Sequence, residues 1–489
     1  MDANRKTPGV YIQEVQGFPN AVTAVETAVP AFIAYTPQVN QKAGAALFEP
    51  VLIESMVEFM RLFAFPADSK TGVPPPQYAP VYYITKVNKA PDKGTAYPFN
   101  GELYAIEPDP GTIWYFYNSL QLFFQNGGKK AYIVPVGTYG SASGAPIQPG
   151  GSIVNPNVKL ADLQKGLAAL KKIPEVTMYV FPEATLLSVA ENGTLMESAL
   201  LQCEEMQTAV AIFDVIGGRE PDPVMWGNDI QTFRANTGSN GLKYGVAYYP
   251  FLKTTAVPID KVTRANIGGD KTVLDPLLND PQSYKQILAI IQEKINVLPP
   301  SSIMAGIYTL VDETKGVWTA PANISPIGVH DVTIRINSNQ QGNLNVDAVS
   351  GKSINAIRYF PGQGILVWGA RTLDGNSQDW RYINVRRTVT MIEQSAKLTL
   401  RYFVFEPNDA NTWTTVRATL ENFLTILWQQ GALIGYKPQD AFGVQVGLGS
   451  TMTQQDILEG RLRVNIHLAL VRPAEFIVIS LEQQLGNTA

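Results

Sequence analysis

The 489-residue sequence predicts a multi-domain α/β protein, α+β overall, and three observations carry that expectation. The chain is too long for one ordinary hydrophobic core, which favours two to four domains. Between residues 160 and 249, strand-like and helix-like runs alternate at the spacing of a parallel layered sheet. Both chain ends carry strand-like runs whose sheet partners are not obvious from the neighbouring sequence. Hydrophobic residues make up 45% of the chain and charged residues 16%, so the surface is unusually neutral. That neutrality suits a surface buried against other copies, and equally a large protein with big cores.

Taken in order, Thr7-Pro8-Gly9 punctuates the chain before a strand formed by Val10, Tyr11, Ile12, Gln13, Glu14 and Val15. Residues 29–35 read as a buried strand, and 51–63 as one amphipathic helix ended by Pro66. Frequent proline and glycine over 68–110 predict an irregular excursion. An aromatic-rich helix over 112–125 stops at Asn126-Gly127-Gly128, and a strand follows at 131–136. The Gly/Ser/Pro-rich stretch 140–151 reads as a linker or hinge.

Beyond it, helices at 160–172, 195–206 and around Ile230 alternate with strands at 176–181, 209–214 and 244–249. A helix at 283–296 precedes Leu298-Pro299-Pro300, taken to restart the chain in extended form, and 305–360 reads as strand and loop. Residues 365–368 give another strand and 385–403 a helix. In the next helix, Trp413, Val416, Leu420, Phe423 and Leu427 form a narrow seam, with Asn411 or Thr412 as N-cap and Gly431 as terminator.

Near the C-terminus, Val464, Ile466, Leu468 and Leu470 alternate with Arg463, Asn465, His467 and Ala469, the period of a sheet with one buried face. A second apolar run follows, Phe476, Ile477, Val478, Ile479, Ser480 and Leu481. Four residues, Arg472-Pro473-Ala474-Glu475, separate the two runs and suffice for a hairpin. One edge of such a hairpin stays open, to be covered either by the same chain or by another copy.

No motif demands catalysis. The two histidines, His330 and His467, have no metal-ligand spacing, and the single Cys203 lies in an apolar helical stretch. Around Gly351-Lys352-Ser353 the glycine a phosphate loop needs five residues upstream is Val346. The sequence therefore predicts no enzyme, no cofactor and no metal. The net charge of -4 gives no basic field for nucleic acid, and no apolar run is long enough to insert in a membrane. Without a signal-peptide pattern at Met1, synthesis in the cytoplasm is expected. Arg381, Arg386 and Arg387 form the most noticeable basic cluster, either paired within the chain or facing an acidic partner.

Several ordered stretches resemble the contractile tail sheath proteins of phages, R-type pyocins and phage-tail-like injection particles. They include 7–15, Phe123-Phe124-Gln125-Asn126-Gly127-Gly128, 316–323, Val367-Trp368-Gly369-Ala370-Arg371, Tyr382-Ile383-Asn384-Val385-Arg386-Arg387, Phe405-Glu406-Pro407-Asn408-Asp409 and Arg472-Pro473-Ala474-Glu475-Phe476. The resemblance implies a sheath fold with an N-terminal extension (1–20) and an inner assembly domain (21–66 and 360–472). A small inserted region (67–139), an outward-facing α/β domain (140–359) and a C-terminal strand extension (473–489) complete it.

The resemblance further implies stacked six-fold rings around an inner tube, with the strands 10–15 and 476–481 added to the sheets of neighbouring copies. The strand of Val464, Ile466, Leu468 and Leu470 is the acceptor. Asn408, Asp409, Thr412, Trp413 and Arg417 are the candidates for tube contact, and Arg381, Arg386 and Arg387 those for interface charges. The implied partners are the chain itself, an inner tube protein, baseplate and terminal cap proteins, and sheath paralogues. The implied setting is a phage tail or a released tail-like particle. Alternatives are another tail component, such as a tube or baseplate protein, and an α/β enzyme.

Overall fold

Pro30–Thr36 has the sequence PAFIAYT and is buried along its whole length, as a strand covered on both faces of a parallel sheet must be. It lies inside an eight-stranded sheet of order Gly364–Val367, Asn355–Phe360, Gly245–Tyr249, Val210–Asp214, Met178–Val180, Pro30–Thr36, Ala131–Thr138, Val51–Ile53. The inner pairings are parallel. The outermost pair at each edge is antiparallel. This computed structural model describes residues 22–68, 70, 72, 74–91 and 94–476.

Helices cover the sheet. A Cβ on Gly166, in the helix Leu160–Ala169, would lie 2.4 Å from a methyl of Val136 and 2.8 Å from one of Ile33, so glycine lets that helix sit directly on the strands. The helix Val189–Met206 opens with a capping box between Ser188 and Glu191, which starts it before the expected Leu195. Cys203 is buried in that helix.

Several expectations are corrected. Residues 51–63 divide into the strand Val51–Ile53 and the helix Met56–Phe63, because the Ser55 hydroxyl accepts from Glu58 N–H and starts the helix there. The excursion 68–110 contains an antiparallel meander of Tyr82–Val87, Ala96–Phe99 and Glu102–Pro108, joined by Ile267–Gly268. Its second turn is the two-residue Asn100-Gly101, both at positive φ, a hairpin signal masked by the surrounding prolines and glycines. The stretch 140–151 is a tied loop: Asp109 accepts from Ser143 N–H (2.9 Å), Ser143 Oγ–H (2.6 Å) and Gly144 N–H (2.8 Å).

The region 305–360 was read as strand and loop, yet it begins inside the helix Ser301–Lys315. Ten residues of that helix are buried, so it shows no amphipathic stripe, and Pro300 stands at its N-cap, where proline is tolerated.

Two compact units emerge. Of the described residues, the large one comprises 26–390 with 472–476, and the small one 391–471 with 22–25. The expected grouping of 21–66 with 360–472 therefore changes, because Pro30–Thr36 hydrogen-bonds into the eight-stranded sheet between two of its strands. For the same reason the α/β layer is not confined to 140–359. The small unit contains the helix Ala410–Gln429 packed on the strand Phe442–Gln445, with Val416, Leu420, Phe423, Leu427, Val444 and Val446 buried. Asp409, not Asn411 or Thr412, caps that helix; its carboxylate accepts from both of their N–H groups at 3.0 Å.

Candidate assembly interface

The strand Asn465–Leu468 pairs antiparallel with Phe442–Gln445, and among the described residues this sheet has two strands. Ala469 N–H donates to Ala441 O at 2.8 Å, and Ile434 N–H to Ala469 O at 2.8 Å. In an antiparallel ladder alternate residues face alternate edges. The register therefore directs the backbone groups of Asn465, His467 and Ala469 to the paired edge. Those of Ile466, Leu468 and Leu470 point to the opposite edge, where no strand lies among the described residues. The bridge between Leu433 and Leu470 keeps this sense, because it is closed by the groups of Ala469 and Val471.

The side chains follow the alternation as well. Val464, Ile466, Leu468 and Leu470 are half-buried, while Arg463, Asn465 and His467 are exposed. The partner strand Phe442–Gln445 was not foreseen; Phe442 and Val444 are the only apolar alternation its four residues offer, too short a signal to read. Residues 472–476 form no strand, and the donor candidates Val10, Tyr11, Ile12, Gln13, Glu14, Val15, Ile477, Val478, Ile479, Ser480 and Leu481 lie outside the described residues. Phe476 is exposed.

The small unit also leaves many large apolar side chains in solvent. Tyr402, Val404 and Phe405 follow one another after the helix Ile383–Leu400, with Phe405 and Tyr436 fully exposed and Leu458 largely so. Of the candidates for tube contact, Trp413 donates its indole N–H to Asn408 Oδ1 at 2.7 Å, and Arg417 donates to Val446 O at 2.9 Å. Asp409 and Arg417 are exposed; Asn408, Thr412 and Trp413 are half-buried.

The basic cluster is corrected in part. Arg387 is buried and donates to both oxygens of Asp312, at 2.8 and 2.5 Å, as well as to Thr27 O. Arg386 is buried beneath Trp380 and Tyr244, its guanidinium 4.5 and 5.0 Å from their ring centroids. Arg381 is half-buried and donates to Ser377 O. Burial removes Arg386 and Arg387 from any surface, because a guanidinium left unpaired in the interior is far costlier than one matched there.

At the C-terminal ends of the parallel strands, where an α/β enzyme keeps its ligand, the carboxylates serve helix starts. Glu183 is buried and accepts from Phe116 N–H at 2.9 Å, at the first turn of Phe116–Gln125. Asp214 accepts from Ser301 N–H (2.8 Å) and Ser301 Oγ–H (2.5 Å), at the start of Ser301–Lys315. Burial pushes Glu183 up to about 8 and Asp214 up to about 7. Among the described residues no cluster of three or more His, Cys, Asp or Glu is placed to hold a metal ion, and no helix is long and apolar enough to cross a membrane.

Residues 376–484 match the phage tail sheath C-terminal domain. The chain is similar over 98% of its length to the anti-feeding prophage helical sheath in its contracted state, with 28% identity, a TM-score of 0.62 and 99% of that chain covered. It is also similar to the contracted PVC sheath complex of an extracellular contractile injection system, with 26% identity, a TM-score of 0.61 and 98% of both chains covered. Both comparisons point the same way: residues 376–484 match a tail sheath domain, and the whole chain is similar to contracted sheath chains. The tail sheath protein of Vibrio phage KVP40 is 23% identical over 322 residues, which is 64% of this chain and 44% of the phage protein. The chain thus spans less than half the length of that curated relative. Its two-stranded sheet, with the bare edge, lies inside the matched C-terminal domain.

Proposed function

We propose that the chain is the structural subunit of a contractile sheath. It polymerises as stacked hexameric rings around an inner tube and shortens to drive that tube through a target envelope. The observation that carries the reading is the near full-length similarity to two sheath chains in the contracted state. The bare edge of Asn465–Leu468 supplies the chemistry of assembly. Donated strands, for which 10–15 and 476–481 are the candidates, would satisfy its free N–H and C=O groups.

Backbone pairing of this kind is indifferent to the tilt of the bodies it joins. A donated strand stays bonded while subunits rotate and slide. Head-to-tail contacts that do not close generate a helix of rings. Contraction requires no nucleotide if the extended lattice lies above the contracted one; a bias of about 1–3 kcal/mol per subunit multiplies over every ring.

By the same resemblance, the partners are further copies or paralogues, a tube protein, a baseplate and a terminal cap. The candidates for tube contact remain Asn408, Asp409, Thr412, Trp413 and Arg417. The particle is a phage tail or a released injection system assembled in a bacterial cytoplasm.

Electron microscopy of negatively stained protein, alone and co-expressed with its tube protein, tests this directly. Hollow helical tubes are expected, and dispersed monomers at high concentration under both conditions would overturn it. Deletion of 1–15 or of 476–489 should leave folded chains that no longer polymerise; unfolding of those chains would return the end strands to an intramolecular role.

A further inference from the structure

After the small unit's last strand, residues 472–476 form no secondary structure, and within them Arg472 and Phe476 are exposed. Glu475 is half-buried. Its carboxylate receives Arg371 Nε–H at 3.0 and 3.1 Å on its two oxygens and Arg371 Nη2–H at 2.6 Å. It also receives Asn345 Nδ2–H at 2.7 Å and Tyr382 O–H at 3.0 Å. The Arg371 side chain is 4% exposed, and its Nη1–H reaches Asn345 O at 3.1 Å. A bidentate guanidinium–carboxylate pair with two further donors is strong and directional.

The pair continues inward. Arg371 N–H donates to Asn355 Oδ1 at 2.8 Å, and Asn355 Nδ2–H donates to both Arg371 O (2.8 Å) and Ala247 O (3.1 Å). Asn355 begins the strand Asn355–Phe360 and lies in register with Tyr248 of Gly245–Tyr249. One unbroken series of hydrogen bonds therefore connects Glu475 with two neighbouring strands of the eight-stranded sheet.

We infer that Glu475 is a positioning residue that fastens the C-terminal arm to the large unit's central sheet, so that a pull on the arm beyond Phe476 is delivered to Gly245–Tyr249 and Asn355–Phe360. In a sheath, and here the inference rests on the function proposed above, force arriving through a strand lent to a neighbour enters the rigid α/β body. It bypasses the small two-stranded sheet from which the chain has just emerged.

The test uses full-length, unassembled protein with nitroxides on Phe476→Cys and Val349→Cys, both exposed and both in the large unit, while the native Cys203 is buried. Pulsed electron paramagnetic resonance should give one narrow distance population in the parent, lost in Glu475→Ala and partly broadened in Tyr382→Phe. A broad population in the parent, or a narrow one that survives Glu475→Ala in a chain of unchanged circular dichroism, overturns the anchor. If Glu475→Ala does not fold, the Tyr382→Phe comparison decides in the same sense. Tube formation is scored separately: a parent that gives a narrow distance but never makes tubes refutes the sheath reading and leaves the anchor standing.

Discussion

In the large unit the strand Pro30–Thr36 is wrapped on every side, whereas in the small unit the strand Asn465–Leu468 is half-buried and has no strand on its second edge among the described residues. Their surfaces differ in the same sense. Among the described residues, positions 391–471 leave nine large apolar side chains exposed, against fifteen in 26–390, a stretch more than four times as long. A fold that satisfies its own sheet and core has nothing left to offer a neighbour. One that ends with free backbone groups and exposed aromatics is completed by contact.

The largest effect that can separate the two regions is expected in the large unit's interior. Arg387→Ala leaves Asp312 buried without its partner and should cost about 3–5 kcal/mol in denaturant unfolding of the monomer. Unchanged monomer stability with defective assembly would instead make Arg387 an interface residue.

Next comes pH. Burial pushes Glu107 up to about 7, Asp214 to about 7 and Glu183 to about 8, so all three favour the neutral form in the folded state. Their contribution is fully present below the ordinary carboxylate values and is lost as pH rises through 7 to 8, on the order of a few kcal/mol for each group. Glu183→Gln, which still accepts from Phe116, should flatten that slope in melts recorded from pH 5 to 9.

Asp456 in the small unit leans the other way. Backbone and side-chain hydrogen bonds from Thr453 hold it below its ordinary value, so its contribution is present above that value and fades as pH falls through the depressed one. Opposite pH slopes for local hydrogen exchange in the two units would confirm the contrast.

Smaller still, Asp409→Ala removes the cap of Ala410–Gln429 and should cost about 1 kcal/mol by thermal melting. The least effect on the monomer is expected from Phe405→Ser, within about 0.5 kcal/mol. If the exposed apolar surface serves assembly, that variant loses tubes while its melt stays put. Leu468→Pro sharpens the point. It deletes a donor on the bare edge and spares the ladder, while His467→Pro breaks the ladder itself. Equal loss of monomer stability in both would contradict the assigned edge.

Much of this was legible in the order of residues. Continuous apolar runs at 29–35, 209–214 and 244–249 marked inner strands, and the turn signal Asn126-Gly127-Gly128 ended its helix where expected, with Gly127 at a φ of 102°. Alternation at 464–470 marked a strand with one half-buried face. Period failed where burial was uniform, as in Ser301–Lys315, and where a strand was too short to show one, as in Phe442–Gln445.

The sequence by itself determined which segments are strands or helices of strong period, the lack of a recognisable catalytic motif, and the family resemblance carried by ordered motifs. Tertiary structure alone decided that Pro30–Thr36 joins a sheet whose other strands lie up to more than three hundred residues away, that Arg387 finds Asp312, and which edge of Asn465–Leu468 stays bare. The physical reason is that local pattern fixes the conformation and face of a segment. Its partner depends on loop closure and burial summed over the whole chain, which no single stretch encodes.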